Sequence, residues 1–524
     1  MFGYSVYTVL SVIVATVAIG VVLLLKYLAR NDDYWKQRGV PYIPRQNIFK
    51  LFKMIFKGPL HELQLEFYKK FTKTHYWGGF EMSTPVLAVA DPDLLRDILV
   101  KDFHIFPHRR DLKLGNKITD NMVSLLRGED WKRVRTIITP AFTSKRMRQM
   151  SSIINDCSMS VVKSCEKHLM QQKPIECKSI FAAYSMDVIA RAAFATKINS
   201  HDDPENEFVK RVREVSAEPT LKMILLSLII PTKLFKYFGL GGFNAMEFFR
   251  TVTLQVIKDR KETGKRYDDV LQILMDAANE NALAENAELH EDEEDKFGSI
   301  NSGITPLAKH SKLSEDELLA QCILFFFVGY ETTASTLTFM AYSLAVNADW
   351  QEQLIAEVDE AFQKHEEMSY DAVRDMKILD GVVSETLRMY PAAVGSERTA
   401  IEDYKLGNTG IVIEKGKRIA FPIYSMHYDP EYFEEPEKFN PNRFIDPNQM
   451  KHPPYAYQPF GSGPRNCLGM RFALLEIKLC MTNILRHFRF RLHSTTKVPL
   501  QYKMCSPFIS VNELPLAVEK RTDI

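Results

Sequence analysis

The strongest structural signal in this sequence is the run FGSGPRNCLG, which extends from Phe460 to Gly469. Glycines before Cys467 allow the backbone to wrap closely around the sulfur. After it, the stretch from Leu468 to Leu479 has the pattern of a helix, whose first N–H groups and positive dipole end favour a negative charge nearby. The run therefore predicts a Cys467 that is held in the ionised form, the form of cysteine that binds metals.

Five positions of this run match the pattern F-x-x-G-x-R-x-C-x-G, namely Phe460, Gly463, Arg465, Cys467 and Gly469. At average composition such a match arises by chance in about one chain in ten thousand. The sequence thereby resembles the cytochrome P-450 superfamily. The resemblance implies that these residues bind haem b, an iron protoporphyrin IX, with Cys467 as the axial ligand of the iron and Arg465 on a propionate. A thiolate suits this role because it donates electron density to iron and favours O–O cleavage.

A second pair of motifs resembles structural elements of the same superfamily. Glu385 and Arg388 share one face of a predicted helix, which alone is a weak signal. With Pro441 to Phe444 they resemble the E-x-x-R and P-x-R-F elements, which implies that Glu385 bridges Arg388 and Arg443 beneath the haem. Because a buried charge group is costly to leave without its partner, we expect Glu385→Ala or Arg388→Ala to give protein without haem.

Further arginines are candidates for binding the haem propionates. Trp131 and Arg135 lie one helical turn apart, a spacing that alone is more typical of a helix surface. The resemblance to the W-x-x-x-R element of the superfamily instead implies that both hold a propionate. By the same resemblance, Arg398 is a further propionate ligand, and Arg109 or Arg110 is another candidate.

The segment that would activate oxygen lies on a predicted core helix. Ser314 and Glu317 have the spacing of a capping box, and the run from Leu318 to Val328 is apolar on all sides and too short to span a membrane. The residues from Val328 to Thr333 resemble the A/G-G-x-D/E-T element, which implies that Thr332 and Glu331 hydrogen-bond reduced oxygen and relay protons. Gly329 suggests a place where the helix opens or lies against a ligand. Val328 departs from the usual alanine or glycine.

Three functions are compatible with a haem-thiolate site. The first is a monooxygenase that inserts one atom of O2 into lipophilic small molecules such as xenobiotics, steroids or fatty acids. The second is an isomerase or dehydratase that acts on peroxides without a reductase, and the third is a noncatalytic haem sensor. Within the superfamily, isomerases tend to lose the acid and alcohol pair that is present here. The sequence therefore favours the monooxygenase.

The electron supply has to come from another protein. Gly461, Gly463 and Asn466 do not form a dinucleotide fingerprint and have no strand–helix context, so no NADPH site is indicated. The resemblance implies NADPH–cytochrome P-450 reductase as partner, with cytochrome b5 as a second candidate. A net charge of +1 gives no reason to expect a nucleic acid partner. One group of basic residues forms either a docking patch for the reductase or an ordinary solvated face. Its members are Lys132, Arg133, Lys145, Arg146, Arg148, Arg471 and Lys478.

The N-terminus has the pattern of a membrane anchor. No residue from Phe2 to Leu25 is charged, and this stretch is long enough for one transmembrane helix. The basic residues Lys26, Arg30, Lys36 and Arg38 follow it directly. A cleaved signal peptide is less consistent, because a basic region before the apolar run is missing. We predict an anchor at 1–30, a basic and proline-containing hinge at 31–46, and a catalytic domain at 47–524 that faces the cytosol from the endoplasmic reticulum membrane.

The predicted fold is mainly α with a minor β part, a cytochrome P-450 fold preceded by a single transmembrane helix. Amphipathic helices are predicted around 130–139 and 153–169, and a further helix ends at Tyr390 because Pro391 follows. Ile411 to Phe421 suggest two short strands joined by a turn. From Glu285 to Asp295, seven of eleven residues are acidic, so 279–311 is predicted to be a surface loop. The odd number of scattered cysteines, seven, favours a reducing compartment.

The substrate side of the site is predicted to be apolar. The segment from Leu221 to Phe243 is rich in Leu, Ile and Phe, and by resemblance it roofs the substrate channel and dips into the membrane, although a buried core helix explains it equally well. Other stretches assigned to the pocket by resemblance are 103–126, 325–329, 392–395 and 506–508. A pocket with few polar groups discriminates weakly, which favours broad specificity.

Overall fold

A computed structural model describes residues 6–46, 50, 58–81, 83–112, 115–203, 206–216, 243–267, 269–278, 312–446, 450–504, 506 and 508–523. The predicted roof at 221–242 and the acidic loop at 279–311 lie outside these residues. The chain is 55% helix and 10% strand, which confirms a mainly α fold. The α-helices among these residues are Val6–Ala29 (α1), Tyr34–Gln37 (α2), Leu60–Tyr68 (α3), Pro92–Arg96 (α4), Lys117–Asp120 (α5), Gly128–Ile138 (α6), Ser144–Met170 (α7), Cys177–Phe194 (α8), Glu207–Ser216 (α9), Phe243–Thr263 (α10), Val270–Ala278 (α11), Glu315–Val346 (α12), Ala348–Lys364 (α13), Tyr370–Arg374 (α14), Lys377–Met389 (α15), Ile423–His427 (α16), Asn442–Ile445 (α17) and Met470–His487 (α18). A π-helix, Asp97–Lys101, and a 3-10 helix, Thr139–Phe142, are also present.

The strands form three small sheets at the side of the helices. They are Tyr76–Glu81 (β1), Thr84–Val89 (β2), Ile175–Glu176 (β3), Ser396–Thr399 (β4), Tyr404–Lys405 (β5), Val412–Ile413 (β6), Arg418–Phe421 (β7), Phe488–Leu492 (β8) and Pro515–Lys520 (β9). The largest sheet has the order β1-β2-β7-β4, with β2 and β7 parallel and the other pairs antiparallel. The others are β3-β9-β8 and β5-β6. The two strands predicted after Ile411 exist as β6 and β7, but they belong to different sheets.

The central helix α12 runs through the core for 32 residues. Its capping box is complete, since Ser314 accepts from the Glu317 N–H at 3.2 Å and the Glu317 carboxylate accepts from the Ser314 N–H at 2.8 Å. The helix packs chiefly against α8 and also against α18. The apolar run from Leu318 to Val328 is part of this longer helix, whose 32 residues would be long enough to cross a membrane. Its most apolar window is 61% buried in the protein, which identifies it as a core helix.

Helix α1, unlike α12, is mostly exposed. Over Leu10–Gln37 only 7% of the most apolar window is buried, and Val14, Ile19 and Leu23 are each 61% exposed. Twenty-four helical residues at about 1.5 Å per residue are long enough to cross the hydrocarbon core of a bilayer. The helix is therefore a candidate single membrane span.

Residues 34–46, predicted as part of a hinge, are attached to the largest sheet. Trp35 is 5% exposed and its indole N–H donates to the Gly79 carbonyl at 2.9 Å. The Gly78 N–H donates to the Pro41 carbonyl at 2.8 Å, and the Ile43 N–H donates to the Gly78 carbonyl at 2.9 Å. These hydrogen bonds hold residues 35–43 against the first strand of the largest sheet.

Candidate functional site

One cavity of about 950 Å³ lies between the middle of α12 and the loop that precedes α18. It brings together residues that are far apart in sequence, and its apolar lining includes Phe325, Val328 and Phe508. Of the predicted site residues, those that line it are Trp131, Arg135, Thr332, Arg398, Phe460, Arg465, Cys467 and Gly469. Glu331, Gly463, Glu385, Arg388 and Arg443 do not line it.

The cysteine loop is shaped by two glycines. Gly461 and Gly463 have φ values of +70° and +73°, which side chains with a Cβ rarely adopt. A Cβ on Gly463 would also lie 2.0 Å from the carbonyl oxygen of Leu99, so only glycine fits there. The loop closes through the Cys467 N–H, which donates to the Phe460 carbonyl at 2.8 Å. Gly463 thus packs the loop against the protein instead of facing the cavity.

Opposing effects act on the pKa of Cys467. Burial raises the pKa of the thiol, while a hydrogen bond from the Gly469 N–H and the charges of Arg135 and Arg109 lower it in part. The helix begins at Met470, with Gly469 at its N-cap, instead of at Leu468. The prediction that the glycine loop and the following helix hold the sulfur ionised stays a prediction. A coordinated metal cation, which deprotonates a thiol outright, would complete the ionisation.

Three buried arginines and the half-buried Arg109 line the cavity without an acidic partner among the described residues. Arg109 and Arg398 each have a buried Nε that donates no hydrogen bond. Burial and mutual repulsion lower the pKa of Arg398 to about 9, that of Arg135 to about 10 and that of Arg465 to about 8. Burial lowers the pKa of Arg109 as well. Such a cluster is costly unless an anion neutralises it.

Two of these arginines also brace the loop. Arg465 donates to the carbonyls of Pro107 and Leu126, both at 2.9 Å, and its guanidinium carbon lies 3.9 Å from the Trp131 ring centre. Arg135 donates to the backbone and side-chain oxygens of Asn466 at 3.0 and 2.8 Å. The remaining donors of Arg109 and Arg398 are thus the ones best placed for a bound anion.

This set of residues fits a haem. Iron takes a cysteine thiolate, and the two propionate carboxylates of a haem match the unpaired guanidinium groups. Arg109, which the sequence offered only as an alternative to Arg110, belongs to this set. Arg110 does not, because it forms ion pairs with Glu81 and Glu397.

The comparison with family models agrees with this geometry, since residues 40–516 match the model described as cytochrome P450. The chain belongs to the cytochrome P450 family. It is 35% identical to cytochrome P450 3A11 of Mus musculus over 492 residues, 92% of each chain. It is 34% identical to cytochrome P450 3A7 of Homo sapiens over 518 residues, 97% of this chain and 96% of the relative. A haem-thiolate monooxygenase is therefore the enzyme class, with haem iron as its cofactor.

The E-x-x-R helix of this P450 forms a closed charge network outside the cavity. Glu385 and Arg388 are both 0% exposed, and the guanidinium donates to the two carboxylate oxygens at 2.7 and 2.9 Å. Arg443 donates to the same carboxylate at 3.3 Å, as does the Asn440 N–H at 2.9 Å. Arg388 also donates to the His427 carbonyl at 2.8 Å. The network joins α15 to the chain before the cysteine loop.

The oxygen segment of the P450 helix is continuous. Thr332 lines the cavity, and its hydroxyl donates to the Val328 carbonyl at 2.7 Å. A Cβ on Gly329 would lie 2.6 Å from Cδ1 of Ile189, so this glycine permits α8 and α12 to pack closely. Glu331 is turned away from the cavity and pairs with Lys178 at 3.4 Å. The predicted acid and alcohol are therefore neighbours that face different surroundings.

Sequence reasoning missed two residues beside this helix. Lys178, the partner of Glu331, carried no motif. Glu476 on α18 is 0% exposed, and neither of its carboxylate oxygens has a hydrogen-bond partner among the described residues. The hydroxyls of Ser185 and Thr333 lie nearby without hydrogen-bond geometry, and burial raises the pKa of Glu476 to about 8. Only its place on the helix after Cys467 could have drawn attention to it.

The proposed basic patch is only partly a free surface. Lys478 is 1% exposed and forms an ion pair with Asp380, so its assignment to the patch is wrong. Arg133 pairs with Glu317, and Arg148 pairs with Asp371 at 3.0 Å. Lys145 and Arg148 are the exposed members of the patch, and Lys132 is partly exposed. The described cysteines other than Cys467 are buried free thiols.

Proposed function

We propose that this P450 oxidises lipophilic small molecules with electrons that NADPH supplies through a membrane-bound reductase. The observation that carries the proposal is the single cavity in which Cys467 and the unpaired arginines share a space with a largely apolar wall. Iron with a thiolate ligand, when bound, supplies the reduction and cleavage of dioxygen. Every other requirement falls on the side chains of the protein.

Guanidinium groups would bind the propionates of the haem. Arg109 and Arg398 would donate to the carboxylates, while Arg135 and Arg465 keep the loop in place and add positive charge. Phe460 and Gly469 flank Cys467 and limit the access of water. The Glu385, Arg388 and Arg443 network would hold the segment before the loop in a fixed position, and with it the loop that carries Cys467.

Proton supply would use Thr332. Its hydroxyl donates to the Val328 carbonyl and leaves its oxygen lone pairs available inside the cavity. Glu331 is the nearest acid along the helix and would reach the same space only after leaving Lys178. We assign Thr332 to positioning the transferred proton and Glu331 to its replacement from solvent.

Substrate selection rests on shape and apolar contact. Val328, which is 48% exposed, and Phe508, which is 46% exposed, present their side chains where few polar groups fix an orientation. One methylene in such a pocket changes binding by only about 1 to 3 kcal/mol. We therefore propose broad specificity for xenobiotics, steroids or fatty acids, with the β-branched Val328 narrowing the space next to Thr332.

The cellular location and the orientation of the protein are proposed from helix α1. Its exposed apolar surface and the basic residues from Lys26 to Arg38 support a single-pass protein of the endoplasmic reticulum whose catalytic domain faces the cytosol. NADPH–cytochrome P450 reductase, with cytochrome b5 as a second donor, would approach the loop side through Lys132 and Lys145. Protease protection of microsomes that contain the full chain tests the orientation.

Reconstitution tests the reaction. Purified full-length protein in phospholipid vesicles is mixed with the reductase and either progesterone or benzyloxyresorufin. We expect substrate-dependent consumption of NADPH and dioxygen and an oxygenated product. Rearrangement of an organic hydroperoxide without NADPH would identify an isomerase or dehydratase instead. Binding of both probes without any turnover would identify a sensor.

A further inference from the structure

Lys178 occupies an unusual position, because it is the second residue of α8, where the helix dipole disfavours a positive charge. Its amine has acceptors from two distant parts of the chain. Nζ lies 3.4 Å from Oε1 of Glu331 on α12. It also lies 2.9 Å from the Ser510 hydroxyl and 3.5 Å from the Val511 carbonyl.

The segment from Phe508 to Val511, here called the pocket segment, connects this amine to the cavity. Phe508 lines the cavity and is 46% exposed, whereas Ser510 and Val511 are 5% and 2% exposed. After the pocket segment the chain is fixed, because Leu514 exchanges hydrogen bonds with Glu176 and Cys177 at 2.9 and 3.1 Å. Ser510 and Val511, which follow Phe508 closely in the chain, are thus held by Lys178 on one side and by the fixed Leu514 on the other.

Glu331 is held on the other side of the same amine. Its side chain is 26% exposed and that of Lys178 is 21% exposed, so water screens the pair in part. Such a partly exposed ion pair contributes little to stability, so loss of the other contacts of the amine can shift its position relative to Glu331. A ligand that presses on Phe508 can thus loosen the contact that keeps Glu331 away from the cavity.

We propose that Lys178 is a positioning residue that couples the pocket segment to Glu331. In the resting protein it keeps the carboxylate outside the cavity. When a lipophilic molecule displaces Phe508, Lys178 loses its hold and Glu331 becomes available to supply protons toward Thr332. This inference rests on the proposed monooxygenase function and adds a link between substrate occupancy and proton supply.

The experiment compares Lys178→Met, which keeps the stem and removes the amine, with Lys178→Arg, which keeps the charge. Lys163→Met, an exposed lysine on α7, is the matched control. Amide hydrogen exchange of peptides covering Phe508 to Leu514 is measured in the full-length haem-loaded protein. The ratio of hydrogen peroxide formed to NADPH consumed is measured with the reductase at increasing progesterone.

We expect Lys178→Met to raise exchange in the pocket segment about threefold, because the hydrogen bonds from Lys178 to Ser510 and Val511 are lost. We also expect its peroxide ratio to become independent of progesterone, while Lys178→Arg and Lys163→Met behave as the wild type. Unchanged exchange overturns the inference. Faster exchange with an unaltered response of the peroxide ratio to progesterone also overturns the inference, because Lys178 then only holds the pocket segment in place. If the wild type consumes no NADPH, the proposed function fails and the coupling fails with it, while the exchange result reports on the segment alone.

Discussion

Arg135 holds Asn466, the residue immediately before the sulfur-bearing cysteine, through two hydrogen bonds of 3.0 and 2.8 Å. The two residues are 331 positions apart in sequence. A planar guanidinium reaches both the backbone and the side-chain oxygen of Asn466 at once, which an ammonium group cannot do in the same way. The placement of Cys467 therefore depends on α6 as well as on its own loop.

Replacing Arg135 by lysine should weaken haem retention. The change keeps the positive charge but leaves one of the two hydrogen bonds to Asn466 unmade, a loss of about 2 kcal/mol for a hydrogen bond from a charged group. The measurement is the fraction of haem transferred to apomyoglobin over time, with Lys132→Met on the same helix as the control. Haem transfer at the wild-type rate in Arg135→Lys would contradict the bracing role.

Glu385→Gln tests the buried charge network. The substitution leaves Arg388 and Arg443 without a countercharge, and breaking a buried pair in this way costs about 3 to 5 kcal/mol. We expect expressed protein with little or no haem and no thiolate-type carbon monoxide spectrum. The control is Glu360→Gln, which removes an exposed pair with Lys364. A Glu385→Gln protein with full haem content would show that the network is dispensable.

The sequence predicts the local parts of the site well because they depend on residues close together in the chain. The cysteine loop needs glycines at 461 and 463, the capping box of α12 needs Ser314 and Glu317, and Glu385 needs Arg388 three residues away. In each case the residues that interact lie within a few positions of one another, so the sequence shows them together. The helix-rich fold follows for the same reason, from periodic stretches that each bury one face.

Contacts between distant segments were not predictable. Lys478 looks like a surface lysine until Asp380 from α15 is placed beside it. Glu331 looks like a cavity acid until Lys178 turns it outward. The strands β6 and β7 look like one hairpin, but β7 pairs with β2 and β4, more than 300 and about 20 residues earlier. Contacts with distant segments decide the environment of Lys478 and Glu331 and the pairing of β7. A local sequence pattern carries no information about such contacts.

Thr332→Ala should separate oxygen consumption from product formation. Loss of the hydroxyl leaves no alcohol at the point where α12 faces the cavity, so protons are delivered less selectively. We expect NADPH consumption to continue, with hydrogen peroxide per product formed rising about tenfold or more. Thr338→Ala is the control, because Thr338 makes the same type of bond to a carbonyl four residues earlier without lining the cavity. Unchanged coupling would rule out the role of Thr332.

Glu476 should make stability depend on pH in a defined direction. Burial raises its pKa from 4.5 to about 8, so the folded state binds the proton more tightly than the unfolded state. Its contribution is therefore most favourable below the unfolded pKa, is lost as pH rises toward about 8, and is constant above. Between about pH 6 and about pH 8 the loss approaches 2 kcal/mol.

The measurement for Glu476 compares urea unfolding of the wild type and of Glu476→Gln at several pH values. Because glutamine does not titrate, the variant should gain relative stability as pH rises over this interval. Other titrating groups cancel in the difference between the two proteins. Parallel stability profiles for the two proteins would mean that Glu476 is not a neutral buried acid.

Gly463→Ala and Gly461→Ala form a matched pair that separates backbone strain from steric overlap. Both residues have positive φ values, so an alanine at either position costs about 1 kcal/mol for the left-handed backbone. At 461 the new Cβ meets nothing closer than 3.9 Å, whereas at 463 it would lie 2.0 Å from the Leu99 carbonyl oxygen. We expect Gly461→Ala to keep its haem and Gly463→Ala to lose it, because the loop must move away from Leu99 and carries Cys467 with it. Haem content and the carbon monoxide spectrum measure both variants, and equal behaviour would show that the contact with Leu99 does not fix the loop.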